Sequence, residues 1–586
     1  MSPKRSRSKD AKRRTASPLS APEARVGNAV LRSATVGALP MIDQLLRRTR
    51  LEEFLRGALP KEDGRTKLSP TKALLVLLRN LLVSREPIYG LGEWAVRYAP
   101  DLLGLTEKEV GLLNDDRVGR ALDKLFAADV AALVLRVTTH VVKEFDLDLD
   151  ELHNDSTSIS FCGAYLDAAS EKQALGRPTP AITFGHNKDH RPDLKQLLFI
   201  LTVTADGGVP LHFRSISGNV TDDVTHRDTW DLLCELTGRR DFLYVADSKL
   251  ATRENMAYLH QRQGRFITVL PKTRSEDATF RASVKADEVT WKPLWQRTDE
   301  EGEVIDDYSI SKQAATSAEG YRLIWYHSAR KEEKDGIARS NQLQRAMKDL
   351  AELRAKLQSP RTRYRDESQV AEAVAQILTA YGVEAWLVTQ IEREEIETFR
   401  QARRGRPTED TPYVRKVTTR FDLSWSIDHL RMAEDARCDG IFPLISNVAD
   451  LSELEVLQTY KRQPTIEKRF SQLKTDFEVA PVYLKAVHRI QALLSVYYFA
   501  LLLESLLERE LRQAMQRKQI ASIPIYPEGR PCSRPTARRL LDLFETVQRH
   551  TLTHGKGPAE VLVTDLTRTQ RRLLNLLRLT PKTYGH

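Results

Sequence analysis

Apolar residues recur at helical intervals through the first quarter of the chain. Ile42, Leu45, Leu46 and Leu51 begin the pattern, and runs at 73–82 and 128–142 continue it. Strand signals are few there, so the pattern predicts an all-helical domain over 26–145. The texture changes at 146. Residues 147–157 (LDLDELHNDST) read as a strand ending in a polar turn, and 196–205 (QLLFILTVTA) is an apolar run of buried-strand length. Asp206-Gly207-Gly208 signals a hairpin, with 209–216 as the returning strand. A helix at 226–236, a strand at 241–246, a helix at 251–262 and a strand at 265–270 follow. This order predicts an α/β core over 146–271, a mixed sheet covered by helices.

Residues 272–450 interrupt that core. Strand-like pieces at 321–327, 385–390, 418–425 and 440–446 flank a charged helix at 341–357, whose apolar positions are Leu343, Met347, Leu350, Leu353 and Leu357. A second helix at 369–378 pairs with it as a surface αα-hairpin. Core texture resumes over 451–510, ending in a long apolar helix at 487–506. The remainder, 511–586, carries turn signals at Pro524, 527–531 and 555–558 and ends in a basic helix with Arg568, Arg571, Arg572 and Arg578, a C-terminal helical region.

A chain of 586 residues with 41% hydrophobic and 29% charged residues is a soluble, multi-core protein. Its excess of +10 is concentrated at the start, where Lys4, Arg5, Arg7, Lys9, Lys12, Arg13 and Arg14 face Asp10 alone. Residues 1–25 are expected to be a disordered basic tail suited to a polyanion. Cys162, Cys234, Cys438 and Cys532 form no CxxC, which argues against a zinc ribbon or a disulfide framework and for a reducing cytoplasm. The apolar stretch 490–503 contains Gln491 and Ser495 and is too short to span a bilayer, so no membrane partner is expected.

The candidate chemistry lies in YKRQPTIEKRFSQLK, 460–474. Steps of seven keep Tyr460, Glu467 and Lys474 on nearly one face of a helix, with Lys474 roughly 10 Å along the axis from Glu467. Pro464 fits only a first turn, so the helix is expected to begin close to Tyr460. Asp155 ends the first core strand, and Asp247 sits at the carboxyl end of FLYVA, where open α/β sheets place their sites. Three carboxylates converging on one sheet edge repel unless a cation lies between them. Oxygen-only ligands select Mg²⁺, with Mn²⁺ as a substitute, and two such ions suit phosphodiester chemistry. His186 and His190 lack soft ligands nearby, and Lys188, His190 and Arg191 suit a structural or DNA-facing role. Ser156, Thr157 and Ser158 lack a nucleophile elbow and read as turn caps. Trp291 and Trp425 are core residues or, less simply, platforms for a flipped base. GKG at 555–557 lacks the P-loop pattern.

With HNDSTS around Asp155, GHNKDHRPDLKQ at 185–196, VADSKL around Asp247 and the 460–474 segment, the chain resembles the DDE transposases of bacterial insertion sequences. The resemblance is to the group with the signature Y-(2)-R-(3)-E-(6)-K and a long insertion before the glutamate. It covers about 150–500, and the N-terminal helical region is also similar to one branch of that group. It implies an RNase H-like core interrupted by a β-rich and helical-hairpin insertion. It implies Asp155, Asp247 and Glu467 as catalytic metal ligands for two Mg²⁺, and Tyr460, Arg462, Lys474, Lys188 and Arg191 as DNA contacts. The partner would be double-stranded DNA, both element ends and target, held by a homodimer. Gln463 occupies the signature arginine position, with Arg462 one residue earlier, so a phosphate contact there loses its charge. A hydrolytic nuclease of the same fold and a domesticated, non-enzymatic DNA-binding protein are the alternatives.

Overall fold

Alternating apolar and small polar residues draw Glu151–Phe161 into a strand of 11 residues. In the computed structural model it lies between two partners, antiparallel to Lys195–Thr204 and parallel to Leu243–Ala246. Lys195–Thr204 in turn pairs antiparallel with Pro210–Ser217. A mixed α/β architecture results, as the alternation of strands and helices predicts. The structure describes residues 23–26, 28–61, 64, 66–163, 165, 168, 170–189, 191–299, 302–359, 361–477, 484–526, 528–554 and 558–584. The basic cluster at 4–14, His190 and the 555–557 glycines lie outside the described residues.

The chain divides into two compact units, Met1–Phe266 with Gln458–His586, and Ile267–Leu457. The first gathers four of the segments predicted as separate, because residues 490–503 of the helix Val487–Arg517 are apolar on nearly every side and must be covered there. The helices Pro70–Val83 and Asp115–Ala127 and the strand Pro210–Ser217 pack against it. Tyr498 on this helix stacks on Phe213 at 4.7 Å and shares a 3.1 Å hydrogen bond with Thr138. The full helix, at 31 residues, is longer than the apolar stretch suggested and passes for a membrane span by length and composition, but 94% of its apolar window is buried within the protein.

Two further expectations are corrected. The N-terminal region is not all helical and the C-terminal region is not helical alone. Strands Glu23–Val26 and Ala29–Thr35 join Gln548–His554 and Glu560–Val563 in one four-stranded sheet. Pairing between residues some five hundred positions apart leaves no periodicity in a local window, which is why helical signals dominated there. Ser33 and His550 share a 2.8 Å hydrogen bond across this sheet.

The second unit is an antiparallel sheet of Trp291–Thr298, Val304–Ser311, Arg322–Ser328 and Ile441–Ser446, with Ile267 to Val269 against its last strand. The predicted αα-hairpin is present as Ala329–Gln358 and Glu367–Tyr381. Leu343, Leu350, Leu353 and Leu357 interlock with Val370, Val374 and Leu378 and close over Leu387, Phe421 and Leu423. Trp425 packs against this cluster, and Trp291 meets Phe280 edge to face at 6.2 Å.

Candidate active site

The parallel pairing of the Asp155 strand ends at Asn154 opposite Ala246. Asp155 is the next residue on its strand and Asp247 the first residue beyond the end of the other, and side chains in parallel register share a face. The neighbouring strand stops there, whereas the Asp155 strand runs on to Phe161. Asp155 is therefore in mid-strand, not at the strand end that the polar HNDSTS sequence suggested. Ser156, Thr157 and Ser158 are buried strand residues, not caps of a turn. The segment after Gly185 satisfies the two serine hydroxyls. Lys188 Nζ donates to Ser156 O at 2.8 Å and Oγ at 2.7 Å, and its backbone N–H donates to Ser158 Oγ at 3.1 Å.

Lys188 also lies 3.3 Å from Asp155 Oδ1, and the Ser156 N–H donates to the same oxygen at 2.7 Å. The Asp155 side chain keeps 19% of its surface exposed. Burial raises its carboxyl to about 6; Lys188 opposes the rise and Asp247 adds to it. Asp247 accepts the Lys249 N–H at 3.0 Å, which fixes the turn into the following helix. Tyr460 completes the group. Burial raises its hydroxyl first, and Asp247, Glu467 and Asp155 all push in the same direction. All three predicted carboxylates therefore act on one phenol.

The glutamate helix is not the continuous face the spacing suggested. Tyr460 ends the helix Glu453–Tyr460, and a new helix, Pro464–Ser471, carries Glu467 in its first turn. Pro464 has no N–H to continue the earlier ladder, so the chain breaks before it. Lys474 falls in a π-turn, Gln472–Asp476, which shifts it off the Glu467 face. It pairs with Asp189 at 2.5 Å, so the 185–194 loop holds both Asp155 and Lys474.

Gln463 is corrected as a DNA contact. It is 6% exposed, shares a 2.8 Å hydrogen bond with His153 Nδ1 and donates to Asn154 O at 3.4 Å. It therefore ties the Pro464 helix to the Asp155 strand, a place where an arginine would bury its charge. Arg462 is exposed but engaged, its Nε donating to Glu151 Oε1 at 2.6 Å. Burial pushes the Glu151 carboxyl up, and His153 and Arg462 outweigh it and hold it low. Arg191 forms an exposed fork with Asp193 at 2.8 and 2.7 Å.

Behind Glu467 lies a charged cluster that sequence reading missed. Arg469 is 1% exposed and donates to the carbonyls of Gly207 and Gly208, each at 2.8 Å, and to Glu508 Oε2 at 3.1 Å. Gly208 has φ +64 and a Cβ there would stand 2.4 Å from Thr465, so only glycine lets the hairpin approach the helix. Burial pushes Glu508 up, but Arg469, Lys468 and Arg512 outweigh it and hold its carboxyl at about 2. Burial, then Glu508, raise Glu504 to about 8. The available signal was Glu504, Glu508 and Arg512 at four-residue spacing inside an apolar helix, where charges persist only when paired.

Hard oxygen donors that repel each other suit a divalent cation, and the Asp155–Asp247 pair is such a set. Glu467 is exposed and makes no hydrogen bond or ion pair among the described residues. No three His, Cys, Asp or Glu side chains among the described residues stand close enough to hold a metal ion. The expected convergence of three ligands is thus reduced to a pair, with Glu467 within electrostatic reach of the same tyrosine.

Residues 31–139 match the family model described as a domain of unknown function, DUF4277. No curated protein matches the chain in sequence. Among solved structures, a piggyBac transposase synaptic complex with hairpin DNA matches at 10% identity, covering 47% of this chain and 63% of that one. Its TM-score is 0.25, a likeness too slight to bear on fold or function.

Proposed function

We propose that the chain is a transposase of the DDE type, with an RNase H-like core, that cuts DNA at the ends of its element and joins the freed ends to target DNA. The observation that carries this reading is the Asp155–Asp247 pair across a parallel strand pair, with Glu467 acting on the same Tyr460. The four motifs quoted above, in their order along the chain, support it as well.

In this mechanism Asp155 and Asp247 are the fixed oxygen donors, set by strand register. Glu467 would be the third donor of the set. Mg²⁺ held there, as two ions, would supply water activation and stabilisation of the leaving oxygen. Lys188 neutralises part of the pair's charge, and Lys474 and Arg462 would have to exchange Asp189 and Glu151 for DNA phosphates in order to contact them. Cleavage and joining are both in-line phosphoryl transfers, so one site serves both. Two copies would hold two DNA ends.

The test uses purified full-length protein, Mg²⁺ and duplexes ending in the DNA that flanks the coding sequence. Asp155→Asn, Asp247→Asn and Glu467→Gln should each lower cleavage by about a thousandfold or more, with duplex affinity within about twofold. Wild-type cleavage by any one variant removes that residue from the set. Cleavage without joined products would assign a hydrolytic nuclease.

A further inference from the structure

The second unit carries a two-stranded ribbon, Leu387–Gln401 paired with Tyr413–Ile427. Its halves differ in chemistry. At the base, Leu387, Phe421 and Leu423 are buried under the helical hairpin, and Arg354 forks onto Asp422 at 2.8 and 2.7 Å. Beyond Arg393↔Phe421 the pairing continues from Glu394↔Arg420 to Gln401↔Tyr413 with no covering element in the apolar cluster. At about 3.4 Å per residue this free arm is roughly 25 Å long. Phe399 is 61% and Tyr413 53% exposed near its end. Within 398–416, Arg400, Arg403, Arg404, Arg406, Arg415 and Lys416 face only Glu409 and Asp410. Arg415 pairs with Glu397; the other five basic residues are exposed and form no ion pair among the described residues.

A bare ribbon with open edges invites pairing with another copy, and basic side chains are one device against that. That device alone does not account for arginines gathered at the tip, with the acidic residues Glu392, Glu394, Glu395 and Glu397 kept toward the base. We propose that the free arm of this ribbon binds double-stranded DNA, its tip entering the major groove and its arginines gripping the flanking phosphates. A major groove about 12 Å wide admits a two-stranded ribbon. Guanidinium groups match phosphate oxygens in pairs, and exposed Phe399 and Tyr413 provide apolar contact with sugars and thymine methyls. A second copy of the arm would bring like charge against like charge, which disfavours self-association as the reason for the tip.

The inference rests on the reading of the chain as a DNA-processing protein, and its test separates the two. Full-length wild type and the triple variant Arg403→Ala, Arg404→Ala, Arg406→Ala are titrated with a duplex of arbitrary sequence across a range of salt. The variant should bind about tenfold or more weakly, and its slope of log affinity against log salt should flatten by about 2–3, near 0.9 for each phosphate that is no longer neutralised. The triple arginine-to-lysine variant should restore most of that slope. Wild-type binding with an unchanged variant slope overturns the ribbon inference alone. Absence of duplex binding by the wild type overturns the functional reading and the ribbon with it. A variant defective only in self-association by sedimentation, with duplex affinity intact, overturns the inference in favour of a second copy.

Discussion

The helix Pro464–Ser471 separates two carboxylate groups that are balanced in opposite ways. On one side Asp155 and Asp247 stand together with a single lysine in contact with Asp155, and its carboxyl is driven up to about 6. On the other side Glu508 is met by Arg469, Lys468 and Arg512, and its carboxyl is driven down to about 2. Both are desolvated, so burial alone does not decide the outcome; the count of cations does. A fully compensated cluster fixes structure, and an under-compensated pair leaves room for a positive ligand. One helix serves both, with Glu467 close enough to act on the Tyr460 hydroxyl and Arg469 in the compensated cluster.

The contrast is broken most severely from the compensated side. Arg469→Met removes the donor to two glycine carbonyls and one of the three cations on Glu508, and should cost about 3–5 kcal/mol in urea unfolding at neutral pH. A cost below about 1 kcal/mol would mean Lys468 and Arg512 suffice. Next is Glu504→Gln. Glu504 is raised from 4.5 to about 8, so the folded protein binds a proton that the unfolded chain releases over that interval. Its stability contribution is therefore present at acid pH and withdrawn as pH rises from about 4.5 to about 8. The glutamine variant should match wild type near pH 4 and gain several kcal/mol by pH 8.5, at about 1.4 kcal/mol per pK step. A pH-independent difference would show that Glu504 and Glu508 share their proton differently. The smallest effect is at the candidate site. Asp155→Asn, in chelator, should gain ~2–3 kcal/mol between pH 4 and pH 6.5 and no more above it, since Asp155 is raised from 3.8 to about 6. Added Mg²⁺ should raise the melting temperature of wild type more than that of this variant.

The core strands and their order along the chain were legible because buried strands are short apolar runs with turn signals between them. The αα-hairpin was legible through Leu343, Leu350, Leu353 and Leu357. What escaped depended on partners distant in sequence. Ala29–Thr35 is paired along its whole length by Gln548–His554. The seven-residue spacing of Tyr460, Glu467 and Lys474 suggested one helical face, but Pro464 broke the helix before Glu467 and a π-turn displaced Lys474. Gln463 read as a weakened phosphate contact because its hydrogen-bonding partner, His153, lies 310 positions earlier. The long ribbon was visible only as two short pieces, since its free arm alternates without an apolar face.

The interrupted first unit also sets a timetable for synthesis. Its strand aspartates are made by residue 247, yet the helix bearing Glu467 and Arg469 and the long helix that covers the sheet come after Leu457. At 5–20 residues per second a ribosome needs ~10–45 s to travel from Asp247 to Glu467. During that interval the face of the nascent sheet that the long helix covers is bare. The face of Pro210–Ser217 that packs on the long helix is therefore left bare until residue 517 has been made.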